Sequence, residues 1–387
     1  MTALEGLDLA ALDRHLRAAG IPRTGELRGE LISGGRSNLT FLVYDDESKW
    51  VLRRPPLHGL TPSAHDMARE YRVVAALADS PVPVARAVTM RDDDSVLGAP
   101  FQMVEYVPGQ VVRTRADLEA LGGPEVVSDC VDSLIRVLVD LHEVDPDAVG
   151  LGDFGRPIGY LERQVRRWGS QWQHVRLPDD PRDADVERLH TRLAELVPAE
   201  SRSSIVHGDY RIDNTMLDVD DPRIVRAVLD WEMSTLGDPL SDVAVMCVQR
   251  DPALNLMVGH QAAWTAPSMP SAEDLAHRYS VVSGHPLAHW NFHMALGYFK
   301  LGIIVAGIDF RRRKAADMEQ GRRKAADMEQ GRRKAADMEQ GRRMAADMKQ
   351  GRRKAAEDGQ NSDDDGDAKL LAQAVAVCIG GGLAALR

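Results

Sequence analysis

One short stretch of this chain, a strand, a loop and a second strand over residues 204–230, constrains it more than any other. The run Ile205-Val-His-Gly-Asp-Tyr-Arg-Ile-Asp-Asn214 is followed by Val228-Leu-Asp-Trp-Glu-Met-Ser-Thr-Leu-Gly-Asp-Pro-Leu-Ser-Asp242. Asp209 stands five positions before Asn214, and Asp230 closes the apolar run Ala227-Val-Leu229, so a strand would deliver it to a sheet edge. A carboxylate, an amide oxygen and a second carboxylate presented in this order are what phosphoryl transfer needs. One carboxylate orients an attacking hydroxyl, and the other two groups supply oxygen ligands to Mg2+ on the phosphates. A turn or helix-cap aspartate is the plainer reading of Gly208-Asp209, but it leaves Asn214 at this spacing without a reason.

The pattern His207-Gly-Asp209 to Asn214, then Asp230, is that of a kinase catalytic loop and its metal-binding aspartate. At these residues the chain resembles the aminoglycoside phosphotransferase-like kinases, and within them the branch also found fused to acyl-CoA dehydrogenases. The resemblance runs from about Leu31 to about Gly307. Its specific pieces are Ser33-Gly-Gly-Arg-Ser-Asn-Leu-Thr-Phe41, Val51-Leu-Arg-Arg-Pro-Pro56, residues 207–214 and residues 229–242. It implies an α+β, two-lobed protein-kinase-like fold, with a small antiparallel-sheet N-lobe and a larger, mainly helical C-lobe. It also implies ATP and Mg2+ as cofactors, and Asp209 beside the acceptor hydroxyl. Protein kinases carry a Lys where Arg211 stands, so Arg211 is a candidate for contact with the transferred phosphate. His207 reads as scaffold, and Asp238 and Asp242 as structural, a buried Asp there tying down the loop. Trp231-Glu232 replaces the Phe-Gly of protein kinases.

The nucleotide side is less distinct, with neither Gly-x-Gly-x-x-Gly nor Walker A. Ser33, Gly34, Gly35, Ser37 and Asn38 lie between two expected strands, where glycines let backbone amides approach phosphates; alone they would read as a hairpin turn. Arg53 falls where protein kinases have a Lys, and the two are not equivalent. Glu70 shares one side of the expected helix 64–78 with Val74 and Leu77. A carboxylate on an apolar face needs a partner, and Arg53 is the expected one. The strand 101–106, with Met103, Glu105 and Tyr106, resembles the hinge that lines the adenine pocket.

The remaining organisation follows from periodicity. Strands are expected at 31–32, 39–44, 50–53, 82–84, 87–90 and 101–106, and helices at 7–19, 64–78, 117–121, 126–142, 159–173, 185–196, 240–250, 272–280 and 288–308. This gives an N-lobe over 1–107 and a C-lobe over 108–310. A decapeptide, Lys-Ala-Ala-Asp-Met-Glu-Gln-Gly-Arg-Arg, then starts unchanged at Lys314, Lys324 and Lys334, recurs altered at Met344 and decays from Lys354. Ten residues do not fit whole helical turns, so the copies build no continuous apolar stripe. The segment 311–360 is expected to be an exposed, partly helical insertion. Residues 361–387 read as an acidic linker and an apolar C-terminal helix, packed or frayed rather than a membrane anchor.

A net charge of −11 argues against a nucleic-acid binder. Cys130, Cys247 and Cys378, odd in number and far apart, suit a reducing cytoplasm. The expected partner is a small-molecule hydroxyl substrate; the oligomeric state is not legible. The helix 288–308 is rich in aromatic and apolar residues, with no Asp or Glu before Asp309, whereas Arg163, Arg166 and Arg167 suit an anionic acceptor. The resemblance to the branch linked to acyl-CoA dehydrogenases, together with this lining, implies a hydroxyacyl-CoA-like metabolite ahead of an aminoglycoside. A kinase-like binding module without turnover, for nucleotide or acyl-CoA, is the alternative from a different class.

Overall fold

The computed structural model describes residues 4–33, 38–57, 67–344 and 364–387. Helix α1 (Leu9–Ala18), capped by Asp8 at the Ala11 amide, covers a sheet of β1 (Arg28–Ser33), β2 (Leu39–Tyr44), β3 (Lys49–Arg54), β4 (Ala87–Arg91) and β5 (Phe101–Glu105), with α2 (Met67–Ala76) between β3 and β4. The strand order is β1-β2-β3-β5-β4, every neighbour antiparallel. Alternation in β2 and β3 buries Phe41, Val43, Trp50 and Leu52 against Leu12 and Leu16 of α1, and this is the N-lobe core. Residues 82–84 do not form the expected strand. Pro81 and Pro83 remove the donors a ladder needs, and the Pro83 carbonyl instead accepts the Val228 amide of the C-lobe at 2.8 Å.

The C-lobe begins with α3 (Arg115–Leu121), α4 (Pro124–Glu143), α5 (Tyr160–Val175) and α6 (Asp183–Glu195). Two small antiparallel ladders follow: β6 (Ser204–Val206) pairs with β9 (Thr235–Gly237), and β7 (Thr215–Leu217) with β8 (Val225–Val228). Then come α7 (Pro239–Val248), the unexpected short α8 (Ala253–Val258), α9 (Ala272–Ser283), α10 (Trp290–Met344) and α11 (Asp364–Ala385). One core gathers α4, α7, α9 and the ladders, and also takes Val73 and Val74 from α2 and Leu77 just after it. A second joins α5, α6, α10 and α11.

Helix α10 does not break near residue 310 but continues through the three unchanged decapeptides. Ala, Lys, Arg, Met, Glu and Gln are all good helix formers, and Glu319 and Arg323 pair at 2.7 Å across one turn. The side chains described over 311–330 are mostly exposed. Helix α11 packs against α10, burying Leu371, Val375, Cys378, Ile379 and Leu383. Gly302 lies against Cys378 and Ile379, and Gly382 against the Ala295 carbonyl, so the two helices run antiparallel. Two glycines of the triplet 380–382 have a packing role: Gly381 lies against the Tyr298 ring, and a Cβ on Gly382 would meet Leu189 at 2.7 Å.

Excising residues 314–353 should leave the melting temperature nearly unchanged, because the side chains described over 314–330 are almost all exposed while the antiparallel pair persists. Deleting 364–387 should abolish soluble folding. Four large apolar side chains at roughly 1.5–3 kcal/mol each approach the whole stability of a domain. Thermal unfolding of both deletions checks this; equal destabilisation would refute it.

Candidate active site

The catalytic loop leaves β6 and is held from below. Asp242, in the first turn of α7 and 1% exposed, accepts the backbone amides of His207 at 2.5 Å and Gly208 at 2.7 Å, and lies 3.4 Å from His142 Nε2. Burial opposes its ionisation, but the bond and charge of His142 and the His207 contacts outweigh it and hold its pKa below the ordinary value. Gly208 takes φ +86°, and a Cβ there would strike the Met233 carbonyl at 2.8 Å. His207 is fully buried. Its Nε2 donates to the Leu229 carbonyl at 2.8 Å, and its Nδ1 accepts the Asp209 amide at 3.2 Å. One tautomer satisfies both bonds and joins the loop to the strand that carries Asp230. Asp238 caps α7 and also accepts the amide and hydroxyl of Ser201.

Three donors converge on the Asp209 carboxylate. Arg211 Nη1 lies at 2.7 Å and Gln249 Nε2 at 2.5 Å from Oδ1, and Asn214 Nδ2 at 3.0 Å from Oδ2. Arg211 also binds Asp213 at 2.6 Å. Burial works against its charge, but Asp209, Asp213 and Asp230 raise its pKa. The Asn214 amide nitrogen is committed to Asp209, carboxylate and carbonyl alike, so its oxygen remains as the ligand atom.

Asp230 adopts the left-handed conformation, φ 61° and ψ 62°, before the short 3-10 turn Trp231–Met233. Its Oδ1 is buried and has no hydrogen-bond partner among the described residues. An orphaned carboxylate oxygen beside the catalytic loop fits a divalent cation. Among the described residues no group of three or more His, Cys, Asp or Glu forms a protein-only cage. Mg2+ needs none, since it takes one or two protein oxygens and completes its shell from phosphate and water. At the rim stands Glu232, exposed overall. Partial burial of its carboxyl and the charges of Asp230, Glu70 and Asp209 push its pKa up to about 7, against the pull of Arg53.

In the N-lobe, Glu70 is 2% exposed and accepts Arg53 Nη1 at 2.7 Å and Gln102 Nε2 at 2.8 Å. Arg53 and Gln102 face each other across β3 and β5, which fixes both donors on the α2 side of the sheet. Met103 points the other way, fully buried in the core beneath α1, so its side chain does not line the cleft. Strand parity separates it from Gln102. Glu105 and Tyr106 stay open at the end of β5. Ser33 ends β1; Gly34, Gly35 and Ser37 lie outside the described residues; Asn38 is buried with its Oδ1 unpaired among them.

Sequence reasoning missed Gln249, at the C-cap of α7, and Lys300, within α10. Lys300 Nζ donates to the Gly208 carbonyl at 2.5 Å. Neither residue belongs to a local motif; their signal is three-dimensional.

This fold and site define a kinase-like phosphotransferase. The family model of the phosphotransferase enzyme family (APH) matches residues 28–275. Acyl-CoA dehydrogenase family member 10 of Mus musculus is 33% identical over 303 residues, covering 77% of this chain and 28% of that protein. Family member 11 of Homo sapiens is 33% identical over 304 residues, covering 77% and 38%. The chain thus spans well under half the length of these curated relatives. A solved structure from Ralstonia eutropha, provisionally described as an aminoglycoside phosphotransferase, is 33% identical, with a TM-score of 0.66 and coverage of 79% and 89%. The streptomycin-ATP ternary complex of APH(2")-IIa shares the fold alone, at 17% identity and a TM-score of 0.52, over 78% and 90%. The chain belongs to the phosphotransferase enzyme family, and its resemblance to the branch linked to acyl-CoA dehydrogenases is borne out.

Asp242→Ala should cost about 3–5 kcal/mol, because two buried amides and His142 lose their partner. Denaturant unfolding would read this directly; a change below 1 kcal/mol would show that the loop is held otherwise.

Proposed function

We propose that this chain transfers the γ-phosphoryl group of ATP, bound with Mg2+, to a hydroxyl of a small metabolite. The observation that carries the reading is the pairing of an exposed-edged carboxylate, Asp209, fixed by three donors, with the orphaned buried oxygen of Asp230. Asp209 would orient the acceptor hydroxyl and take up its proton as the oxygen attacks phosphorus, since its lone pairs are aimed by Arg211, Asn214 and Gln249. Asn214 and Asp230 would hold the metal. Arg53, positioned by Glu70, would bind phosphate oxygens, and Arg211 would offset charge near the transferred group. Bound Mg2+ neutralises and aligns the phosphates. Glu105 and Tyr106 would border the base.

The acceptor we favour is a hydroxyacyl thioester or a similar alcohol. Support comes from the relatives named as acyl-CoA dehydrogenases and from the absence of acidic residues on α10 before Asp309. A polycationic aminoglycoside would want carboxylates there. Cys130, Cys247 and Cys378 are buried free thiols, in keeping with a cytoplasmic site of action.

Asp209→Asn should lower turnover by about 10²–10⁴-fold with ATP affinity nearly intact, because the carboxylate acts on the acceptor. Asn214→Ala and Asp230→Ala should weaken nucleotide binding in Mg2+, by roughly the 10–100-fold typical of disturbed metal sites. Calorimetry and an ATP-consumption screen against hydroxyacyl-CoAs, sugars, choline-like alcohols and aminoglycosides test this. Full turnover by Asp209→Asn, or unchanged ATP affinity in both metal-site variants, would sink the assignment.

A further inference from the structure

Lys300 reaches the catalytic loop from a part of the chain that the family model's match, ending at residue 275, does not include. Its approach is set one turn earlier in α10. Gly297 lies three positions before it on the same side of the helix. A Cβ there would meet Val248 at 3.2 Å and the Ala244 carbonyl at 3.4 Å. The missing side chain lets α10 settle on α7, which brings the lysine beside Ser241 and Asp242 at the start of α7. Its Nζ donates to the Gly208 carbonyl at 2.5 Å and stands 5.9 Å from the centroid of the Trp168 ring, within cation–π range.

That bond completes the hold on the peptide that carries Asp209. The amides of His207 and Gly208 are taken by Asp242, the Asp209 amide by His207 Nδ1, and the Asp209 carbonyl accepts Asn214. Among the described residues Lys300 alone donates to the Gly208 carbonyl. Gly208, at φ +86°, has the widest backbone freedom in the loop, so the peptide that follows it depends most on an outside donor. The charge is balanced from both sides. Burial works against the Lys300 ammonium most strongly, Asp209 and Asp242 favour it, and with Arg167 and Arg211 also opposing it the pKa is left lowered. An ammonium is stable in that setting only because the carbonyl and the two carboxylates answer it.

We propose that Lys300 is a positioning residue for phosphoryl transfer, its ammonium fixing the Gly208–Asp209 peptide and offsetting the negative charge that Asp209 and Asp242 bring to either side of it. The line along which the Asp209 carboxylate meets the acceptor hydroxyl then depends on α10 as well as on α7. This rests on the phosphotransferase reading for the role of Asp209, but the clamp itself is a property of the loop. On that reading the nucleotide lies on the side of Asp230 and Arg53, so Lys300 acts on turnover and not on ATP binding.

The test joins two measurements on the full chain: steady-state ATP consumption in Mg2+, with 3-hydroxybutyryl-CoA or water alone as acceptor, and hydrogen exchange of residues 205–214. Lys300→Met removes the donor at nearly unchanged length. It should lower kcat by about 10²-fold, the cost of misplacing a reacting group by about 1 Å, while the KM for ATP stays within about twofold. The same variant should speed exchange of the loop amides by about tenfold or more, with the amides of α4 exchanging as in the wild type. Lys300→Arg, which keeps charge and reach, should restore most of both. Lys300→Gln, polar but too short for Gly208, takes the place of Lys300→Met if that variant does not fold, with the same losses expected. Unchanged kcat or unchanged loop exchange in Lys300→Met would overturn the proposal. So would a matching rise in the KM for ATP, or equally faster exchange in α4, since the lysine would then support the C-lobe as a whole. A wild type that consumes no ATP would be a failure of the kinase reading; the loop exchange would then decide the clamp alone, with no change refuting it.

Discussion

The catalytic loop hangs from one buried carboxylate. Asp242 takes the amides of His207 and Gly208 on its two oxygens, and this fixes the peptide planes immediately before Asp209. Desolvating a carboxylate costs several kcal/mol. Here charge-assisted bonds and His142, itself within 2.8 Å of the Tyr279 hydroxyl, offset that cost. The loop is thereby referenced to α4, α7 and α9 at once, the best-packed part of the C-lobe. Asp238, one turn earlier, performs the matching task for Ser201 ahead of β6. The position of Asp209 is therefore a property of the C-lobe core and not of the loop sequence alone.

The phosphate side is tied to the same core through α2. Glu70 gathers Arg53 and Gln102 from the sheet. The next residue back, Arg69, donates to the carbonyls of Phe154 and Ser234 and stacks on Phe154 at 3.9 Å from the ring centroid. Val73, Val74 and Leu77 bury their side chains with C-lobe residues. Pulling α2 from the C-lobe would expose these three, at roughly 1.5–3 kcal/mol each, besides breaking the Arg69 bonds. A helix that belongs by sequence to the N-lobe is thus held energetically by both, and Arg53 keeps a defined relation to Asp230.

What the sequence showed and what it hid divide along physical lines. The two-lobed α+β architecture was legible because the hydrophobic periods switch cleanly from two to 3.6 near residue 108. The loop His207–Asn214 was legible because its chemistry is local, and Glu70 because a carboxylate on an apolar helix face demands a partner. The strand expected at 82–84 failed where apolar pattern ignored the two prolines. Met103 was assigned to the cleft by its neighbourhood in the hinge, when strand parity with Gln102 turns it to the opposite face. Helix α11 hid its role because a Gly-rich apolar segment reads equally as fraying or as packing until Gly382 is seen against Ala295. Gln249 and Lys300 were beyond reach, since each meets the loop only through tertiary packing.

Carboxylates gather on the N-lobe side of Asp209, and this orders the metal side of the site. Toward the N-lobe lie Asp230, Glu232 and Glu70, an acidic group answered by Arg53 and Arg211. That excess of carboxylate makes the metal side costly without a cation: Glu232 is pushed toward neutrality and the Asp230 oxygen stays unpaired. Toward α5 and α10, Lys300 has both Asp209 and Asp242 near it, so that side is closer to balanced. A donor that arrives as a metal–phosphate complex matches the first side. Asp209, neutralised in part by Arg211, stands between that metal side and the C-lobe helices, where the hydroxyl and the phosphorus would meet.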